Sequence, residues 1–433
     1  MGEPTTESVR AEVGHIGAIE GLRGVAVLWV VLMHYFVLRG GLDDPWIGLL
    51  NTQPALKAIV ANGYLGVDLF FLITGFLLTL PWFRHAMQGR AAPSAREFYR
   101  RRVRRIVPAY YVQLLILFAL VIPLVHGSEF WMRNLWFTLY NIGAHVTFLH
   151  YTTPLSSASL SLNGALWTLA LEAQYYLLLP LLAPLFVRWP WRTTASLAAI
   201  ALAWRYQANH GLAALVAWEM RLGEAWKIPE STIRHFLWTQ LPGYLAHFAI
   251  GVMIGRAWLM RRVVTSYTHA EAAWQAIAVA ALVGLYVSHA AGSNLGDFAW
   301  AVVPLSLGLA MYAFVVRSPH SSNTVLAQGP LAFVGRVSYS TYLYHLPLLL
   351  VWNKYAPDLS WAGFPVYLAL LLALSWLSWR FVERPFMQPS SKPVPNPWPT
   401  NAAPGASEAP TTSPTTTASG ASPSTTTASS SNS

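Results

Sequence analysis

Ten apolar stretches of about 20 residues recur along this chain of 433 residues, and each, coiled as a helix, matches the hydrocarbon thickness of a bilayer. They run over about 19–38, 64–83, 106–125, 164–187, 193–210, 239–260, 271–289, 299–316, 331–353 and 361–382. Charged residues make up 11% of the chain and hydrophobic ones 55%, with a mean hydropathy of +0.41. Soluble domains carry about 25% charged residues. The expected fold class is therefore all-α: a polytopic integral membrane helix bundle of about ten transmembrane helices.

Arginines give the bundle a direction. The connection between the second and third stretches holds Arg84, Arg90, Arg96, Arg100, Arg101, Arg102, Arg104 and Arg105. Later connections on the same side hold Arg188 and Arg192, then Arg256, Arg261 and Arg262, then Arg317. On the opposite side Arg39 and Lys57 face Asp43 and Asp44, and Arg221, Lys227 and Arg234 face Glu219, Glu224 and Glu230. Cytoplasmic loops carry the excess of Lys and Arg, so both termini are expected in the cytoplasm of a multi-pass plasma (inner) membrane protein. The same bias accounts for the formal charge of +10, which therefore does not indicate nucleic-acid binding. Residues 130–149 are aromatic and carry Arg133, Asn134, Asn141 and His145. If they spanned, the basic bias would reverse in every later loop. They read instead as an outer-face interfacial or re-entrant segment bordering a cavity.

The expected division is a cytoplasmic N-terminal segment (1–17), a transmembrane domain (18–387) and a disordered cytoplasmic tail rich in Pro, Ser and Thr (388–433). The N-terminal segment is polar and lacks a cleavable signal. Without Cys, disulfides and a cysteine acyl-enzyme are excluded. There is no P-loop, no lipase-type Gly-x-Ser-x-Gly elbow and no metal-ligand cluster in the sequence, so no metal is expected.

Chemistry points to ionisable groups inside the apolar stretches, which are costly there and mark cavities or reaction centres. The first stretch carries Glu20, Arg23 and His34. Arg23 and His34 are eleven residues apart, which leaves them about 20° apart around the helix and roughly 16 Å apart along it. Glu172 falls roughly 12 Å below the outer end of its stretch and His34 roughly 6 Å below the end of its own, so the two could meet if their helices are neighbours. A carboxylate beside an imidazole makes a general base; the alternative is a buried polar pair that pins two helices. Asp68, near a helix N-terminus, is either favoured there by the macrodipole or supports the site. His345 either satisfies a carbonyl freed by Pro347 or contacts substrate. The run Arg100-Arg101-Arg102-Val103-Arg104-Arg105 suits bidentate contact with the phosphates of a polyanion such as coenzyme A; topogenic charge and anionic lipid are the plainer readings.

Six segments in order resemble the membrane-bound acyltransferase 3 family of O-acyltransferases. These are Ile19 through His34 (with Glu20 where the family usually has Asp), Gly66 through Leu77, and Phe98 through Pro108. They continue with Trp167-Thr168-Leu169 with Glu172 and Tyr175-Tyr176, Gly335 through His345, and Val382-Glu383-Arg384-Pro385-Phe386. The resemblance spans residues 16 to 387. It implies transfer of an acyl group, commonly acetyl, from cytoplasmic acyl-CoA to a hydroxyl on a sugar, glycolipid or small-molecule acceptor. His34 would be the essential His, Arg23 its paired Arg, Glu172 the acid, and Arg101, Arg102 and Arg105 the donor-binding arginines. Glu20, Asp68, Trp167, Tyr175 and His345 would bind substrate or support the site. Some relatives carry an extracytoplasmic hydrolase-like domain; lacking one, this chain is expected to act alone or with a separate partner outside the membrane. The competing reading is a secondary transporter or flippase for a lipid-linked sugar or anion, but no inverted repeat is apparent.

Overall fold

The computed structural model describes residues 17–133, 135–153, 163–211, 230–261, 269–290, 299–318, 326–327 and 329–387. The expected terminal segments, 1–17 apart from Gly17 and 388–433, lie outside the described residues, as do Glu219, Arg221, Glu224, Lys227 and Arg262. Every regular element among the described residues is helical. The long helices are α1 (Gly17–Arg39), α2 (Leu65–Met87), α3 (Ala95–Ile116), α4 (Trp167–Arg188) and α5 (Pro190–Tyr206). They continue as α6 (Leu245–Met260), α7 (His269–Ala290), α8 (Ala299–Tyr312), α9 (Gly329–Tyr355) and α10 (Gly363–Ser378).

These ten fall on the ten apolar stretches. Among the described residues, the helical stretches containing α1, α2, α3, α4, α6, α7 and α10 are long and apolar enough to cross a membrane. The chain is thus a polytopic helical membrane protein. α5 is only 17 residues long, and α8 with its following turn forms a shorter apolar helix. α9 is 27 residues long but carries Arg336, Ser338, Ser340, Thr341 and His345, which make it less apolar. Its polar residues have a different use, described below.

Two helix pairs set the frame. α1 and α9 run parallel and in register: Glu20 meets Arg336, His34 meets His345, and Arg39 meets Asn353. Gly335 makes the approach possible, because a Cβ there would overlap the Glu20 carbonyl. α2 and α6 also run parallel, with Asp68 at His247, Leu72 at Gly251 and Phe76 at Gly255. α3 starts with Ser94 as N-cap, its hydroxyl accepting the Glu97 N–H at 3.5 Å.

Among the described residues of the segment 130–149, helix runs over Phe130–Arg133 and Leu135–Val146, and neither is long and apolar enough to count as a membrane span. The segment lies against α3: Tyr110 Oη donates to the His145 carbonyl at 2.9 Å and Tyr111 Oη to the Val146 carbonyl at 2.9 Å. None of its residues lines the cavity described below, so the expectation that it borders one is not met there.

At the end of α1, a buried ion pair ties that helix to the end of α9. Arg39 Nε donates to Asp44 Oδ2 at 2.7 Å, Nη1 to Asn353 Oδ1 at 2.9 Å and Nη2 to the Pro357 carbonyl at 2.6 Å. Asp44 also takes the Tyr35 hydroxyl at 2.7 Å and caps the short helix Pro45–Asn51 through the Trp46 N–H. Burial alone would raise the Asp44 pKa, but the bonds from Tyr35, Arg39 and Trp46 outweigh it and hold the carboxyl below its usual value. A depressed folded-state pKa gives stability that is complete above the unfolded value, about 3.9, and lost as pH falls through the folded one. Melting curves should therefore show an acid loss below about pH 4 that Asp44→Asn removes. Arg39→Ala, which strands a buried carboxylate, should cost about 3–5 kcal/mol.

Candidate active site

α1, α2, α3, α4 and α9 enclose a cavity of about 300 Å³, at the lower end of the range for ligand pockets. Its apolar lining includes Phe70, Phe71, Leu77, Leu78, Ile106 and Leu169. Its polar lining carries Arg23, Thr74, Arg102, Arg105, Glu172 and Tyr176. Three guanidinium groups thus meet one carboxylate in the lining, an imbalance that favours an anionic guest.

Helical spacing explains which side chains reach it. Thr168, Glu172 and Tyr176 are successive i,i+4 neighbours and share one face of α4. Glu172 accepts the Thr74 hydroxyl at 2.9 Å and also bonds Tyr176. Arg23 has Arg105, Glu172, Glu383 and Glu20 as its charged neighbours. Glu383 is delivered by a π-turn, Trp379–Glu383, that continues α10; it is buried and accepts the Ser340 hydroxyl. Tyr339 Oη donates to the Ile106 carbonyl at 3.0 Å and ties α9 to α3.

The three arginines expected to bind the donor separate. Arg102 and Arg105 line the cavity, and Arg102 Nε is buried without a hydrogen-bond partner. Arg101 does not enter. Its half-exposed side chain pairs with Glu97 at 3.4 Å, next to the Arg100–Glu97 pair at 2.5 Å.

His34 lies beyond the cavity, as its roughly 16 Å offset from Arg23 requires. Its Nδ1 is 3.0 Å from the Val30 carbonyl oxygen and 3.2 Å from His345 Nε2. The link back to the cavity is Tyr342, which lines it and whose ring centroid lies 5.5 Å from that of His345. Thr168 Oγ1 donates to Tyr342 Oη at 2.8 Å, and Tyr342 Oη donates to the Ala165 carbonyl at 3.0 Å.

The expected contact between His34 and Glu172 is not formed. Counting depth from the end of the apolar stretch assumed that α4 begins at the membrane surface. Instead the chain before α4 is already recessed, since Asn163 Nδ2 reaches the Leu343 carbonyl at 3.3 Å and Ala165 and Thr168 meet Tyr342. α4 thus begins at the level of Tyr342, and Glu172, one turn further along, joins Arg23 rather than His34.

Other expected site residues sit outside the cavity. Asp68 Oδ1 is 2.8 Å from His247 Nε2, close but poorly aligned for a hydrogen bond, and both are buried between α2 and α6. Tyr175 stacks on Phe248 at 3.8 Å, and Trp167 packs among Tyr151, Tyr244 and Phe71. Glu20 is 3.8 Å from Arg336. Sequence reasoning assigned no role to Thr74, Tyr176, Tyr342 or Glu383. The i+4 spacing from Glu172 could have found Tyr176; Thr74 and Tyr342 depend on contacts between helices that no single segment announces.

Comparison with known proteins gives a consistent family. The sequence model of a family described as an acyltransferase domain matches residues 16–380. The chain is 24% identical over 404 residues to the O-acetyltransferase OatA of Staphylococcus aureus, covering 87% of this chain and 58% of that protein. It is 26% identical over 186 residues to the peptidoglycan O-acetyltransferase OatA of Listeria monocytogenes, covering 40% of this chain and 25% of that protein. The chain therefore spans little more than half of the one relative and a quarter of the other. No solved structure matches.

Proposed function

The chain belongs to the acyltransferase-domain family, and on that premise we propose that it is a plasma-membrane O-acetyltransferase carrying acetyl from acetyl-CoA to a hydroxyl of peptidoglycan. The observation that carries this reading is the cavity itself: lined by three arginines and by apolar side chains, and bounded by Tyr342 next to a histidine pair. The arginine end of α3 faces the cytoplasm, where acyl-CoA is found. Arg102 and Arg105 hold phosphate oxygens of the donor, and its pantetheine arm lies along Phe70, Leu77 and Leu169. Arg101, half-exposed and paired with Glu97, takes no direct part. Glu172, fixed by Thr74 and Tyr176, offsets part of the charge of Arg23.

His34 is the general base. The acceptor hydroxyl gives its proton to His34 Nε2 as its oxygen attacks the thioester carbonyl carbon. The tetrahedral intermediate then collapses, the C–S bond breaks, and the departing thiolate takes the proton from the imidazolium. An O-acetyl ester and free CoA thiol result, and His34 is neutral again. Purified protein, given acetyl-CoA labelled in the acetyl group and soluble peptidoglycan fragments, should place label on the glycan in ester linkage. Label that only crosses the membrane, with none in ester linkage, would support transport instead.

A further inference from the structure

Carbonyl oxygens only accept hydrogen bonds, and this fixes both imidazoles of the histidine pair. His345 Nδ1 lies 2.7 Å from the Tyr342 carbonyl oxygen and must carry a proton toward it. His345 Nε2 is then left with its lone pair. That lone pair faces His34 Nδ1 at 3.2 Å, and His34 Nδ1, 3.0 Å from the Val30 carbonyl, must itself be protonated. The other tautomer of His34 would set three lone pairs against one another. The arrangement therefore runs in one direction, with His34 Nδ1–H shared between Val30 O and His345 Nε2. His34 Nε2 is left unprotonated and able to accept a proton.

The plain structural reading of His345 does not account for this. Pro347 has no N–H, so the carbonyl it frees is that of Leu343, four residues earlier. Asn163 Nδ2 takes that carbonyl at 3.3 Å, and His345 has no part in it. His345 is instead fully buried and clamped, with Tyr367 Oη donating to its carbonyl at 2.9 Å. The ring centroids of His34 and His345 are 5.0 Å apart and tilted by 51°, a geometry that brings nitrogen toward nitrogen rather than face to face.

We infer that His345 is the positioning residue of His34, filling the place that a carboxylate holds in a hydrolase triad. This rests on His34 being the general base. As His34 Nε2 takes the proton of the acceptor, positive charge develops on its ring, and the His345 lone pair stabilises it through Nδ1–H. A neutral imidazole can do this inside an apolar bundle without burying a second full charge.

The test compares His345→Gln, His345→Asn, His345→Phe and His34→Ala in purified protein. Acetyl transfer and acetyl-CoA binding are measured on each. A Gln amide oxygen reaches the place of Nε2, whereas an Asn amide reaches only that of Nδ1. His345→Gln should keep kcat within about 10-fold of wild type, while His345→Asn and His345→Phe lose about 10²-fold, with KM for acetyl-CoA changed less than about 2-fold. If Gln and Asn lose kcat equally with donor binding intact, or if Asn and Phe keep it, the inference is overturned. In the second case, an inactive His34→Ala leaves the proposed function standing. Full activity of His34→Ala would instead remove the general-base reading on which the inference rests.

Discussion

His34→Asn should reduce acetyl transfer by about 10²–10⁴-fold, the range contributed by a positioned general base, while leaving the fold and acetyl-CoA binding in place. The substitution suits the geometry. An Asn amide nitrogen can sit where Nδ1 was, donating to the Val30 carbonyl and to His345 Nε2, so neither acceptor is stranded. What it removes is Nε2, the only ring atom free to take a proton. Because His34 lies outside the arginine-lined cavity, KM for acetyl-CoA should change little and the loss should fall on kcat. A His34→Asn protein with wild-type turnover would mean that the acceptor is deprotonated elsewhere.

Much of the bundle was legible in the sequence because a bilayer imposes one length on every span. The ten apolar stretches correspond to α1 through α10, and no helix among the described residues of the segment 130–149 is long and apolar enough to cross. The phase of α1 was legible too, since Arg23 lines the cavity and His34, eleven residues on, lies beyond it. Depth across different helices was not. Glu172 seemed within about a turn of His34 because nothing in the α4 sequence reveals that residues 163–166 already sit within the bundle, hydrogen-bonded to α9. Arg101 and Arg102 are adjacent in a run of like residues, and only Glu97, one turn before Arg101, distinguishes them. The partnership of His345 with His34 links positions 311 residues apart, and only the packing of α1 on α9 creates it.

The second large effect concerns the donor. Arg102 Nε is buried on the cavity wall without a partner, so an Ala there removes an unsatisfied group and should cost the fold little. Arg105 shares its surroundings with Arg23 and Glu383, and its loss still leaves Arg23 beside that carboxylate. Each charge-assisted bond to a phosphate is worth about 1.5–3 kcal/mol, or roughly 10- to 100-fold in affinity. Replacing both arginines should therefore weaken acetyl-CoA by about 10²-fold or more, with the acceptor KM changed far less. Arg102→Lys should restore only part of this, because an ammonium keeps the charge but loses the planar fork. Arg101→Ala, at a half-exposed position already paired with Glu97, should change affinity by less than about 5-fold. The decisive measurement is equilibrium binding of acetyl-CoA to wild type, Arg101→Ala and Arg102→Ala/Arg105→Ala in the same lipid nanodiscs. A loss of about 10²-fold confined to the double variant is predicted. Equal affinity in all three would contradict the assignment of this cavity to the acetyl donor.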